Sequence, residues 1–121
     1  MMSLVSNFPV TSTRALAISG LARTRSVNIF QNAGPGSVYY GFVDHIPNVG
    51  GSTSTLTTGN GTLLPASALS APVNVSLQPN YASTYPGINP TSPAVSDDSD
   101  GFDLWVISNS TATISVQTVP M

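Results

Sequence analysis

The sequence predicts an all-β protein, an antiparallel β-sandwich, jelly roll or small barrel with long loops rich in Pro, Gly and Thr. Short runs of alternating apolar and polar residues recur, and turn residues interrupt them about every ten positions. Lys and Glu, which favour helices, are absent, whereas Ser and Thr supply 31 residues. A chain of 121 residues is the size of one domain. We therefore expect a single β domain over residues 1–121.

The clearest local pattern covers residues 26–43. Residues 26–31 alternate, which is the period of a strand. One side carries Val27, Ile29 and Gln31, and the other carries Asn28 and Phe30. Residues 38–43 are rich in aromatic and β-branched side chains, and a Gly-Pro-Gly turn separates the two runs. This arrangement predicts a β-hairpin.

A second hairpin is predicted at the C-terminal end, with strands over residues 102–108 and 111–119 around Asn109 and Ser110. Residues 13–19 alternate as a strand with Leu16 and Ile18 inward, although their alanine content leaves a short helix open. Residues 73–77 also alternate and predict a strand. The bulkiest candidates for the core are four aromatic residues: Phe30, Tyr39, Phe42 and Trp105.

The remaining segments are predicted as an arm and long loops. Residues 1–13 are expected to form an N-terminal arm, and residues 44–101 to form long loops with at least one strand. Four prolines within residues 78–93 argue against regular structure there. Loops of that length are uncommon in compact domains and usually have a function or contact a partner.

The charge of the chain excludes some partners. Three Arg and five Asp give a formal net charge of −2. Three cations cannot neutralise many phosphates, so we expect no nucleic-acid partner.

The longest apolar stretch, residues 15–22, is far shorter than the roughly twenty residues that a membrane-spanning helix needs, so we expect no membrane partner. Residues 1–7 carry no Lys or Arg and Pro9 follows them, which argues against a signal peptide.

The chain carries few residues that could perform chemistry. It has no Cys, which excludes a disulfide framework and a thiolate metal site. Its single histidine, His45, follows Asp44, and neighbouring residues of a strand point to opposite faces. A triad or metal site needs several such groups together. We therefore expect no enzyme and no cofactor, and no loss of function when His45 is replaced.

An acidic run begins at residue 97, where Asp97, Asp98 and Asp100 are candidates for binding a hard cation. A calcium loop of the EF-hand type ends in a bidentate Glu, and this chain has none. A solvated turn before a strand is the favoured interpretation.

Partner contacts are expected from five residues: Arg14, Arg23, Arg25, Tyr81 and Tyr85. Arginine suits interface ion pairs because its planar guanidinium binds carboxylates through two hydrogen bonds. The shortage of surface charge leaves strand edges poorly protected from association. Together with the long Pro-rich loop, it predicts a homo-oligomer, with a trimer favoured.

Several segments resemble the small head decoration (cement) proteins of tailed bacteriophages. In the pattern, an Arg leads into a strand that ends near Asn-x-Gly, as in residues 25–34, and the next strand reads Val-Tyr-x-Gly-Phe, as in residues 38–42. Leu-Leu-Pro at residues 63–65 and a Trp-containing segment at residues 104–119 complete the likeness. It covers about half of the chain, and residues 44–101 depart from it.

The resemblance implies a non-enzymatic virion protein that is made in the bacterial cytoplasm and binds the major capsid protein on the outer capsid surface. We expect its contacts to come from residues 3–14 and 48–93, through apolar burial and neutral hydrogen bonds. Two alternatives stay open. One is a fibre-type receptor- or carbohydrate-binding module in which Tyr81, Tyr85 and Trp105 stack on a ligand, and the other is a neck or tail joining protein.

Overall fold

The protein is a sandwich of two antiparallel four-stranded β-sheets, as seen in a computed structural model that describes residues 4–21, 24–44, 54–76, 78–79, 94–95 and 102–120. The predicted all-β fold is confirmed. Because the sheets do not close on one another, the small barrel is excluded.

The described residues form ten strands and one short 3-10 helix. The strands are β1 Leu4–Val10, β2 Ala15–Ile18, β3 Thr24–Ala33, β4 Val38–Asp44, β5 Thr62–Leu63, β6 Val73–Ser76, β7 Gln78–Pro79, β8 Ala94–Val95, β9 Phe102–Ser108 and β10 Ala112–Pro120. The 3-10 helix covers Ala66–Leu69. The first sheet has the order β1-β10-β3-β6 and the second sheet the order β2-β9-β4-β5, while β7 and β8 form a separate parallel pair.

The prediction of two β-hairpins is wrong, although the strands themselves are present. Strand β3 belongs to the first sheet and β4 to the second, so the turn between them crosses from one sheet to the other. The same is true of β9 and β10. Strand β3 pairs instead with β10 and β6, and β4 pairs with β9 and β5.

The crossing has a physical reason in the apolar residues of β3 and β4. Val27 and Ile29 of β3 and Val38 and Phe42 of β4 are all fully buried. In a hairpin the two rows would lie side by side and would still need a partner layer. In the sandwich they belong to opposing layers of one core. The loop of four residues between the strands permits both arrangements.

The predicted N-terminal arm is wrong for residues 4–10, which form strand β1 at the edge of the first sheet. Phe8 pairs with Ile114 of β10, and Val10 is 1% exposed. The register shifts between Val5 and Phe8, where Asn7 has a positive φ of 54°. Pro9 is tolerated here because proline has no backbone N–H, and an edge strand leaves one side without a partner strand.

The aromatic core differs from the prediction. Phe42 is fully buried, but its aromatic neighbours are Tyr40 and Phe102, with ring centroids 6.1 Å and 6.3 Å away in edge-to-face contacts. Trp105, Phe30 and Tyr39 are only partly buried. Strand parity explains the difference, because the residues of β4 that face the core are Val38, Tyr40 and Phe42.

Strand β2 is confirmed, with a correction to its facing. Ile18 pairs with Leu104 and packs on the core, as predicted. Leu16 pairs with Trp105, and a register shift separates the two pairs. The predicted inward position of Leu16 is therefore wrong, since the shift breaks the two-residue repeat on which it depended.

The middle of the chain contains more regular structure than predicted. The predicted strand over residues 73–77 is confirmed as β6, with Leu77 outside the described residues. Gln78 and Pro79 form β7, so the prediction of no regular structure over residues 78–93 is wrong there. The remainder of that segment, residues 80–93, lies outside the described residues.

Candidate functional site

Most of the residues predicted to contact partners lie outside the described part of the chain. This holds for Arg23, Tyr81 and Tyr85, for the metal candidates Asp97, Asp98 and Asp100, and for His45. Arg25 lies within β3. Arg14 is exposed, and its Nη1 donates a hydrogen bond of 3.2 Å to the carbonyl oxygen of Leu56. Arg14 therefore ties residue 56 to the start of β2.

A cleft of about 280 Å³ lies at one end of the sandwich, between the β3–β4 turn and the segment that contains β5 and the 3-10 helix. We call it the leucine cleft. Its lining residues are Gln31, Gly34, Pro35, Gly36, Ser37, Leu63, Leu64 and Leu69. None of these eight carries a formal charge, so charge–charge attraction within the lining cannot contribute to binding there.

Two leucines on the rim of the leucine cleft are exposed. Leu63 is 52% exposed and Leu69 is 56% exposed, whereas Leu64 between them in sequence is 2% exposed. Leu63 pairs with Tyr39 at the edge of the second sheet, and Ala68, which is 1% exposed, faces the core just before Leu69. The buried neighbours thus hold the two exposed side chains in place.

One polar side chain of the leucine cleft is buried. Gln31 is 5% exposed, and its Nε2 donates a hydrogen bond of 2.8 Å to the carbonyl oxygen of Gly36. Within the described ranges, no residue donates a hydrogen bond to its Oε1. Buried polar atoms usually have a partner, so this oxygen marks a place for a donor.

The turn that forms one wall of the leucine cleft packs tightly against the β9–β10 turn. The N–H of Gly36 donates to the carbonyl oxygen of Thr111 at 2.9 Å, and the N–H of Ser37 donates to Oδ1 of Asn109 at 2.9 Å. A Cβ on Gly36 would overlap the hydroxyl oxygen of Ser108. Gly34 has a φ of +115°, which glycine adopts readily. The two turns form one rigid unit.

The outer face of the first sheet is a neutral surface of amides and hydroxyls. Nδ2 of Asn74 donates to Oδ1 of Asn28 at 2.8 Å across two paired strands. On the same sheet, Nδ2 of Asn32 donates to Oγ of Ser115 at 2.6 Å and to Oδ1 of Asn7 at 3.0 Å. These contacts link side chains of all four strands of the first sheet without using a charge.

Trp105 stands on the side of the second sheet that faces away from the core. It is partly exposed, and it pairs with Leu16 of β2 and with Gly41 of β4. Its neighbours Leu104 and Val106 are fully buried in the core. The residue Trp105 also takes part in an interaction with another part of the protein.

Burial perturbs the titration of Tyr40 at the core. Tyr40 is 8% exposed and lies beside Phe42. Desolvation by burial raises the pKa of its hydroxyl above the usual value of about 10. Tyr40 is a core residue, and this shift is a property of the core rather than of the leucine cleft.

The described residues lack two further features. They contain no group of three His, Cys, Asp or Glu side chains that could hold a metal ion. They also contain no helix of the length and hydropathy needed to cross a membrane.

Sequence patterns point to the leucine cleft only in part. The Leu-Leu-Pro motif contains Leu63 and Leu64, but nothing in it separates the exposed leucine from the buried one. Leu69 follows a helical turn that Pro65 opens, because the carbonyl oxygen of Pro65 accepts a hydrogen bond of 2.9 Å from the N–H of Ala68. Proline at the start of a helix is the signal that could have identified this turn.

Comparisons of the chain with protein-family models, curated proteins and solved structures found no match.

Proposed function

We propose that this chain is a non-enzymatic structural protein of a virion, which binds the outer surface of a phage capsid and stabilises it. The proposal begins from the resemblance to small head decoration proteins in residues 25–42 and 63–65. Its partner is the major capsid protein, and its own assembly is a homo-oligomer, with a trimer favoured.

The exposed pair Leu63 and Leu69 is the observation that carries this proposal. Both border one uncharged cleft, and large exposed apolar side chains that cluster are typical of protein contact surfaces. A chain with three Arg and five Asp has few charges for ionic attachment. Burial of apolar surface, together with neutral hydrogen bonds, is the remaining source of affinity.

Stabilisation of the shell follows from linkage. A protein that binds the assembled capsid and not its separated subunits stabilises the assembly by an amount that grows with its free concentration relative to Kd. No chemical step is needed. The rigid sandwich supplies a surface whose shape is fixed before binding, which lowers the entropic cost of docking.

The test is to quantify the chain in purified phage particles and to add it to capsids prepared without it. We expect a fixed ratio to the major capsid protein and a higher melting temperature of the capsid after addition. A ratio that corresponds to a single vertex would identify a neck or tail joining protein instead. Absence from particles, or an unchanged capsid melting temperature, would contradict the proposal.

A carbohydrate- or receptor-binding module is the second candidate, and the position of Trp105 favours it. The indole of Trp105 is partly exposed on an outer sheet face, where an aromatic ring can stack on a sugar beside the interaction that it already makes within the protein. Replacing Trp105 with Ala should then abolish binding to immobilised oligosaccharides while capsid binding stays unchanged. The decoration role predicts no such oligosaccharide binding.

A further inference from the structure

We propose that the leucine cleft binds one extended, uncharged polypeptide segment of a neighbouring capsid subunit. An apolar side chain of that segment lies between Leu63 and Leu69, and one of its backbone N–H groups donates to Oε1 of Gln31. This inference rests on the proposed function and specifies the chemistry of the partner segment.

The apolar part of the inference comes from exposure. Leu63 and Leu69 are each more than half exposed on the same rim, so each leaves apolar surface in contact with water. Covering that surface with another apolar group removes it from water, which is favourable. A cavity of about 280 Å³ is slightly smaller than ligand pockets, which run from roughly 300 to 1,000 Å³. It suits a side chain or two rather than a folded element.

The polar part comes from the hydrogen bonds of Gln31. Its Nε2 is committed to the carbonyl oxygen of Gly36, which fixes the orientation of the amide. Its Oε1 receives no hydrogen bond from the residues that the structure describes, although the side chain is 95% buried. A backbone N–H is the donor that every residue of an extended peptide, except proline, can offer.

The charge of the occupant follows from the lining. Every one of the eight lining residues is neutral, so a charged side chain entering the leucine cleft would lose hydration without gaining an opposite charge. A neutral segment avoids this cost. The tight packing of the wall at Gly36 against Thr111 means that the cleft need not reorganise to accept it.

The probes for this inference are synthetic peptides of about twelve residues, tiled across the major capsid protein. Each is added to the protein while the methyl signals of Leu63 and Leu69 and the side-chain amide of Gln31 are followed by NMR. We expect an uncharged peptide to shift all three groups. Failure of every tiled peptide to shift them would overturn the inference.

A matched pair of variants tests the apolar contact. Leu63→Ser with Leu69→Ser removes the apolar rim, and Leu63→Met with Leu69→Met preserves it. Both sites are exposed, so both variants should keep the melting temperature of the native protein. We expect the serine variant to bind the peptide at least about tenfold more weakly and the methionine variant to bind like the native protein. Equal binding by all three would overturn the inference.

The hydrogen bond to Gln31 is tested on the peptide, which leaves the buried side chain intact. Replacing each backbone N–H in turn by N-methyl should weaken binding about tenfold at one position and abolish the shift of the Gln31 amide. Full affinity at every position would overturn the polar part.

Capsid binding separates this inference from the proposed function. If the serine variant binds capsids as well as the native protein, the leucine cleft is not the contact, and the inference fails while the decoration role stands. If a tiled peptide binds the cleft as described but the native protein does not bind capsids, the decoration role fails and the cleft chemistry is supported.

Discussion

The carboxylate of Asp103 accepts a hydrogen bond of 2.7 Å from the backbone N–H of Gly20, and this contact joins β9 to the end of the segment that follows β2. Asp103 is fully buried. The next residue, Leu21, donates its N–H to the carbonyl oxygen of Phe102 at 2.8 Å. Two adjacent backbone donors are thus satisfied by two adjacent residues of β9.

Replacing Asp103 with Ala should lower the free energy of unfolding by about 1–3 kcal/mol, because the partly buried hydrogen bond from the N–H of Gly20 to this buried carboxylate is lost. Asp103→Asn keeps an acceptor oxygen of the same shape and should cost less. Urea unfolding of the two variants measures this. An alanine variant as stable as the asparagine variant would contradict the role of the hydrogen bond.

Replacing Gly36 with Ala should destabilise the protein by about 1–3 kcal/mol, because the new methyl group would overlap the hydroxyl oxygens of Ser108 and Ser110. Gly59→Ala is the matched control, since its nearest neighbour would lie 3.7 Å away at ordinary contact distance. Thermal unfolding should separate the two variants clearly. If both have the same melting temperature, the two turns are not packed as described.

Phe42→Ala should cost about 3–5 kcal/mol, since this ring is fully buried and contacts two other aromatic rings. Phe30→Ala removes the same atoms from a partly exposed position and should cost less. Chemical denaturation of both variants measures the difference. A larger loss at Phe30 would place the core on the wrong face of β3.

Burial raises the pKa of Tyr40, so the folded state holds that proton more tightly than the unfolded chain. The resulting stability is complete below the unfolded pKa of about 10 and declines as the pH rises through the folded value. Tyr40→Phe has no such proton and should lose less stability above pH 10. Unfolding free energies on both sides of that pH test this, and parallel alkaline losses in the two proteins would contradict it.

The sequence predicts the strands of this fold well but not their partners. Alternation in residues 26–31 reflects one buried face, and β3 buries that face as expected. The alternation does not indicate whether β4 lies beside β3 in the same sheet or across the core in the other sheet. A loop of four residues can make either connection. The register shift between Leu16 and Ile18 is invisible for a similar reason, since no residue type requires it.

The leucine cleft was predictable only as a region. Contacts from residues 48–93 were expected, and Leu63 and Leu69 lie there. Alternation places Gln31 on the same side as Val27 and Ile29, and the structure confirms that facing. Its hydrogen bond to Gly36 could not be predicted, because it depends on a turn contributed by residues 34–37. Whether Leu63 and Leu69 are exposed or buried depends on tertiary contacts, which cannot be inferred from the sequence pattern alone.

Retention of the protein on capsids between low and roughly molar salt tests the central claim most directly. At molar ionic strength the Debye length falls to about 3 Å, so attraction between exposed charges is largely screened. Attachment through Leu63, Leu69 and neutral hydrogen bonds should persist across the whole range. Complete release by salt alone would contradict it and would assign the attachment to charged groups: Arg14, Arg23, Arg25, Asp97, Asp98 and Asp100.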